Sequence, residues 1–360
     1  MALPSEIFLL QAGHGEMDLF PGSLPSPFWS SHTPGRRLSW TRIGDTLRRM
    51  RKNPPLLAIV NYREEPFFRT GTGWASGLGS AAWSVLFRPS RLGELLFFAQ
   101  LIRQRIPIAL LNRSDIGEIP AASDWYYRRC HVCFVRELSP QPEMTLKSLF
   151  STSGGNPQTN RRARRILGLM DPPCPPTRIT TKLRPISLGL PDSGRLPAPS
   201  ATKKHDIFFA GDLHEKGLRG RLVEECRRHA ENRNWRLCLR ERMGQEEFWK
   251  TLSESRLCLS PPGMGWDCWR HYEAMALGAV PLMPYPTILQ DHPPVDGQHC
   301  FYFPPEPGGL SAVLDRAMDQ GVNLTQMAEA GRQLTLAYHT WPKLRDYVIR
   351  ETLRASAGLA

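Results

Sequence analysis

No stretch of the 360-residue chain approaches the ~20 uninterrupted apolar residues that cross a bilayer, so no transmembrane segment is expected. The longest run, residues 92–102, is interrupted by Gly93, Glu94 and Gln100. Basic residues are missing from the first ten positions, where Glu6 stands in place of the positive region of a signal peptide, so a cytoplasmic address is expected. Cysteine is sparse for a secreted scaffold: eight in this length read as reduced, buried thiols rather than a disulfide framework. Cys130 and Cys133 form a CxxC without a second pair at similar spacing, and within a strand an odd spacing sends the two sulfurs to opposite faces. A metal site is therefore not expected there. Lysine is scarce too, eight of 46 basic residues, so arginine carries the positive charge.

What is present is an ordinary globular balance, 41% hydrophobic and 22% charged, in a chain long enough for about two domains. The formal net charge is +12. Arginine's planar fork suits phosphate or carboxylate, although a general compositional bias gives the same count. The basic clusters, such as Arg161-Arg162 with Arg164-Arg165, lack interleaved aromatics, which favours a phosphate-bearing small molecule over nucleic acid.

Residues 171–199 hold prolines too densely for a helix and mark the best boundary. The expected domains are 1–185, an acceptor-binding half; 186–340, a donor-binding half; and a C-terminal helix, 341–360, packing back across both. Before the boundary, buried strands are expected at 7–11, 56–61, 106–112 and 130–135, with helices at 39–52 and 91–105. After it the alternation is clearer: strands at 206–210, 235–240, 256–260, 279–283 and 299–303, with helices at 218–231, 246–255, 267–277, 309–318 and 324–339. Strands alternating with helices predict parallel α/β sheets.

The turn at residues 261–266, Pro-Pro-Gly-Met-Gly-Trp, lies between a strand and a helix. Gly263 and Gly265, beside Pro262, allow close backbone approach, and the following helix start offers N–H groups to an anion. Asp267 is the expected cap of that helix, and Asp267, Arg270 and Glu273 follow at helical spacing. A carboxylate such as Glu273 accepts well from two vicinal ribose hydroxyls. The alternative is an i,i+3 surface network of the three charges. A second strand-to-helix turn, residues 210–221, carries Gly211, Lys216 and Arg219. Its basic residues oppose the helix dipole unless an anion sits among them, or unless they are a solvated helix start.

Residues 248–283 carry a resemblance. Ser255, the Cys258-Leu259 strand, the Pro-Gly turn, Asp267, Arg270, Glu273-Ala274 and Gly278-Ala-Val-Pro281 resemble, in that order, the donor-binding core of exostosin-like glycosyltransferases. The resemblance implies a GT-B fold, two Rossmann-like domains facing a central cleft, with Glu273 at the nucleotide ribose and Arg270 near the diphosphate. Residues 211–217 are similar to the diphosphate-contacting turn of related sugar transferases, with Asp212 where arginine is common. Two departures stand out. A paired-glutamate signature, two Glu eight positions apart, fails because residue 265 is Gly, and the membrane anchor of animal exostosins has no counterpart. The implied reaction moves a sugar from a UDP- or GDP-linked donor to an acceptor hydroxyl on a glycan, lipid or small molecule. No cofactor is implied, and no Asp-x-Asp triplet occurs to support a metal-dependent alternative.

For the base, His14 in the Gly-rich stretch after the first strand has a suitable pKa, with Glu16 or Asp18 to orient it. Residues 61–65, Asn-Tyr-Arg-Glu-Glu, compete for that role, and a loop histidine is commonly a mere surface group. Two other classes remain open: a non-catalytic nucleotide-sugar or glycan binder of the same fold, and a nucleic-acid binder using the +12 charge.

Overall fold

A computed structural model describes residues 7–10, 19–21, 23–25, 40–61, 89–113, 129–141, 180–191, 196–263 and 265–359. Contacts divide the chain into two units. One is Met1–Val135 with Pro172–Arg184 and Arg345–Ala360; the other is Arg136–Asp171 with Pro185–Leu344.

The first unit is built on a six-stranded sheet: β1 (Ile7–Leu10), β2 (Leu24–Pro25), β3 (Leu57–Asn61), β4 (Ile108–Asn112), β5 (Val132–Val135) and β6 (Leu183–Pro185). Their spatial order is β2-β1-β3-β4-β5-β6, and the pairs from β2 through β5 are parallel. The inner strands are wholly apolar except at Asn61 and Asn112, as strands covered on both faces must be. Helix α1 (Trp40–Lys52) buries Ile43 and Met50 and ends on Arg49, Arg51 and Lys52, which suit the negative end of its dipole. Helix α2 (Pro89–Arg103) starts on a proline, whose missing N–H costs nothing at that position. Edge strand β6 lies inside the proline-rich boundary, where no strand was expected; its Pro185 is tolerated because an edge needs only one ladder.

The second unit holds a five-stranded sheet: β7 (His205–Ala210), β8 (Leu237–Arg240), β9 (Ser255–Leu259), β10 (Val280–Pro284) and β11 (Phe301–Phe303). The order β11-β10-β9-β7-β8 is parallel throughout. Helices α3 (Leu218–Asn232), α4 (Gln245–Ser253), α5 (Trp269–Ala276), α6 (Gly309–Ala317) and α7 (Leu324–Tyr338) accompany it. Alternation along β7 shows the two covered faces. Ile207 and Phe209 pack with Leu222, Val223 and Cys226 of α3 and with Leu310 and Leu314 of α6. Phe208 and Ala210 pack with Leu252 of α4 and Ala274 of α5. Gly278 ends α5 with φ +74, and a Cβ there would lie 2.8 Å from Pro199 Cβ, so both the left-handed turn and the close approach require glycine. Helix α8 (Trp341–Ser356) is grouped with the second unit as far as Leu344 and with the first from Arg345 onward. The parallel α/β class expected of both halves is what the structure shows. Among the described residues no helix is long and apolar enough to cross a membrane.

Candidate functional site

In the second sheet β8 pairs to one side of β7, and every later strand is added on the other side, beginning with β9. Chain connections therefore leave β7 and β9 in opposite directions, and their carboxyl ends form the crevice where doubly wound sheets bind ligands. The residues that follow are Gly211 after β7 and Ser260 to Gly263 after β9.

Two guanidinium groups reach consecutive carbonyls there, those of Pro261 and Pro262. Arg270, in the first turn of α5, donates from Nη2 to the Ala210 carbonyl at 3.1 Å and reaches the Pro261 carbonyl at 3.5 Å from Nη1. It lies over the Phe209 ring, 4.9 Å from the centroid. Arg219, in the first turn of α3, donates to the Pro262 carbonyl at 3.3 Å. Both Nε atoms are buried and have no acceptor among the described residues. A buried guanidinium N–H without a partner is costly, and an anion between the two arginines would supply the missing acceptors. The site is lined closely: a Cβ on Gly211 would stand 3.0 Å from the Phe209 ring and 3.5 Å from Arg270 Nη2, while one on Gly263 would come only as near as 3.9 Å to Arg219.

Glu273, one turn beyond Arg270, is mostly buried, and its Oε1 accepts from the Trp249 indole at 3.0 Å. Burial raises its pKa, opposed by the Trp249 hydrogen bond and by the Arg270 charge. Lys216 is exposed and makes no hydrogen bond or ion pair among the described residues. Gly265 is buried, and its carbonyl accepts from the Gly263 N–H at 3.1 Å. His14, Glu16 and Asp18 lie outside the described residues, as do residues 62–65 of the rival stretch.

Asp267 departs from expectation. The cap position of α5 belongs to Cys268, which makes no side-chain cap bond, and Asp267 is turned into the interior. Its Oδ1 accepts from Tyr272 OH at 2.6 Å, its Oδ2 accepts from the Leu188 N–H at 2.6 Å, and Arg136 Nε lies 3.5 Å from Oδ2. Asp267, Arg270 and Glu273 therefore face three different sets of partners rather than one, and no ion pair joins them. The helix start is also less open than its sequence promises. Both oxygens of Glu137, a fully buried side chain, accept backbone N–H groups at 2.9 Å, from Trp266 and Asp267. Burial pushes the Glu137 carboxyl up to about 8, with Arg136 pulling it down. The N–H groups of Trp266 and Asp267 are thus already taken, whereas the Nε atoms of Arg219 and Arg270 have no acceptor among the described residues.

Glu137, Arg136 and the buried His271 were missed from the sequence because nothing local marks them. His271 Nδ1 lies 2.7 Å from Ser260 Oγ and Nε2 lies 3.0 Å from the Trp266 carbonyl, which ties the turn to the helix. Glu215 was missed as well. Its carboxylate sits at the start of α3, 3.4 Å from the Gly220 N–H, and supplies negative charge where Lys216 and Arg219 bring positive. A Cβ on Gly220 would lie 1.8 Å from the Glu215 carbonyl oxygen. Gly220→Ala is expected to cost about 2–3 kcal/mol, read from the urea midpoint; an unchanged midpoint refutes this packing.

The family model described as the RXYLT1 C-terminal domain matches residues 201–288, about a quarter of the chain and the segment that contains Gly211, Arg219, Arg270 and Glu273. No curated protein matches the chain. Among solved structures, a glycosyltransferase from Rickettsia africae ESF-5 shares 12% identity over 98% of this chain and 89% of its own, with a TM-score of 0.48. Anabaena Alr3699/HepE, solved with UDP and glucose, shares 10% over 96% and 98%, with a TM-score of 0.43. The UDP-GlcNAc 2-epimerase of Neisseria meningitidis shares 12% over 97% and 91%, with a TM-score of 0.40. At TM-scores below 0.5 these likenesses decide nothing about the chemistry of this chain.

Proposed function

We propose that the protein is a glycosyltransferase of GT-B type, related to the exostosin-like enzymes, that transfers a sugar from a UDP- or GDP-linked donor to an acceptor hydroxyl. The observation that carries the reading is that Arg219 and Arg270 reach the consecutive carbonyls of Pro262 and Pro261 at the switch point of the second sheet, each with a buried Nε that has no acceptor among the described residues. Arginines in that crevice suit a diphosphate, and Glu273, one helical turn away, suits the ribose hydroxyls. The match to residues 201–288 falls on the same elements.

The acceptor oxygen forms the new bond to the anomeric carbon as the bond from that carbon to the diphosphate breaks, and the hydroxyl proton passes to a base. Arg270 and Arg219, with exposed Lys216 in reach of solvent, offset the negative charge that grows on the departing diphosphate. We assign the base to His14 and treat the reaction as independent of a metal ion or cofactor. The first unit would hold the acceptor, and nucleic acid is not among the partners. Cytoplasm is the compartment we assign, a reading in keeping with the seven free cysteines among the described residues.

Two measurements test the reading. Thermal shift with UDP, GDP and other nucleoside diphosphates should raise the Tm for one base, because a ligand that binds only the folded state stabilises it. Glu273→Ala should cut that shift, read against the variant's own free Tm, and weaken binding about tenfold or more, in line with losing a hydrogen bond to a charged group; it also leaves the Trp249 indole without its acceptor and so lowers the Tm of the free protein. No response to any nucleotide refutes the assignment. Binding without transfer or donor hydrolysis makes the chain a non-catalytic binder.

A further inference from the structure

A cavity of about 750 Å³ opens at the other end of the second sheet, beside the amino ends of its strands. Lys203 lies two residues before β7, Arg236 just before β8, Arg256 near the start of β9, and Asn323 and Thr325 at the start of α7; Arg332 of α7 completes the basic wall. The volume is that of a small-molecule site.

Its charge is one-sided. Lys203 Nζ is held by the carbonyls of Ser253 and Gly278, both at 2.7 Å, so no carboxylate neutralises it at hydrogen-bond range. Asp206 must serve two arginines: Arg236 takes it in a fork at 2.9 and 3.1 Å, and Arg256 reaches the same carboxylate only at 3.5 Å. Arg332 has no hydrogen bond or ion pair among the described residues, and its Nε is buried without a partner. Glu329 is the one carboxylate in the wall, and Asp319 nearby is turned to the Gly321 N–H at 2.8 Å. The first turn of α7 has no acid, so the positive end of its dipole adds to the four cations.

We propose that this cavity is a second anion site, which takes a phosphate-bearing small molecule through Arg256 and Arg332, with Lys203 and Arg236 adding positive charge to the same wall. Arginine forks and a partnerless buried Nε favour phosphate oxygens over a single carboxylate. The site is separate from the crevice formed by Arg219 and Arg270, which lies at the carboxyl ends of the same strands.

Inorganic pyrophosphate titrated calorimetrically into the full chain carrying Arg219→Ala and Arg270→Ala tests it with the other crevice disabled. Binding should persist, and adding Arg256→Ala and Arg332→Gln should weaken it about tenfold or more, the loss of charge-assisted hydrogen bonds. Absence of binding in the first variant overturns the proposal, as does binding that the second pair leaves unaltered. Melting curves without pyrophosphate establish that each variant folds. Arg332→Gln alone on the wild-type chain provides an independent reading: it should reduce the rise in Tm that pyrophosphate causes, and an undiminished rise counts against the site.

Discussion

Arg270→Ala is expected to weaken binding of the cognate nucleoside diphosphate about 10- to 100-fold. Hydrogen bonds to charged groups contribute about 1.5–3 kcal/mol, and each 1.4 kcal/mol is a factor of ten. Part of this side chain is structural, since it donates to the carbonyls of Ala210 and Pro261 and covers the Phe209 ring. Arg270→Lys separates the two contributions: it keeps the charge and most of the stem but loses the planar fork, so affinity should fall between wild type and alanine. Calorimetric titration at fixed ionic strength reads both. Equal affinity in wild type and Arg270→Ala would remove the arginine from the anion site and would leave the switch-point reading without its main support.

The second large effect is on stability against acid. His271 is completely buried between Ser260 and Trp266. A carbonyl only accepts, so Nε2 carries a proton toward Trp266, while the Ser260 hydroxyl can donate to a neutral Nδ1. Burial lowers the pKa of the ring from 6.5 to about 4, which favours the neutral form at pH 7. Because the folded value lies below the unfolded one, the unfolded chain binds the extra proton first. Stability from the neutral ring is complete above pH 6.5 and is lost as pH falls toward 4, a change of about 3 kcal/mol at about 1.4 kcal/mol per unit. His271→Gln removes this titration. The stability gap between wild type and variant, measured by urea unfolding, should be widest at pH 7 and should narrow by about that amount at pH 4. A gap that does not change with pH would mean that the ring is not held neutral.

Much of the fold was legible because parallel strands covered on both faces must be apolar along their length. The runs at β7, β9 and β10 stand out for that reason, each bounded by a helix of clear periodicity. What escaped were elements held by their neighbours. Strands β2 and β6 have two and three residues and lie at the two edges of the first sheet, where pairing rather than hydrophobicity defines them. Helix α5 begins two residues later than its sequence indicates because Asp267, an ideal cap by type, is drawn away by Tyr272, Leu188 and Arg136. The positions of Arg219, Arg270 and Glu273 just after the two strand-to-helix turns were legible from the sequence. Their partners were not, since Arg219 bonds a carbonyl 43 positions away and Glu273 an indole 24 positions away.

Glu137 has a practical consequence for dissecting the molecule. The proline-rich segment invites a cut that would produce the C-terminal half alone, yet the carboxylate that holds the Trp266 and Asp267 amides comes from 130 positions upstream of Asp267. A fragment starting at residue 186 would release those amides and also take Arg136 from Asp267, so the loop ahead of α5 would lose its anchor while the sheet beneath it remained intact. Any truncated C-terminal fragment must therefore carry residues 136–137, supplied as a fused or co-expressed segment.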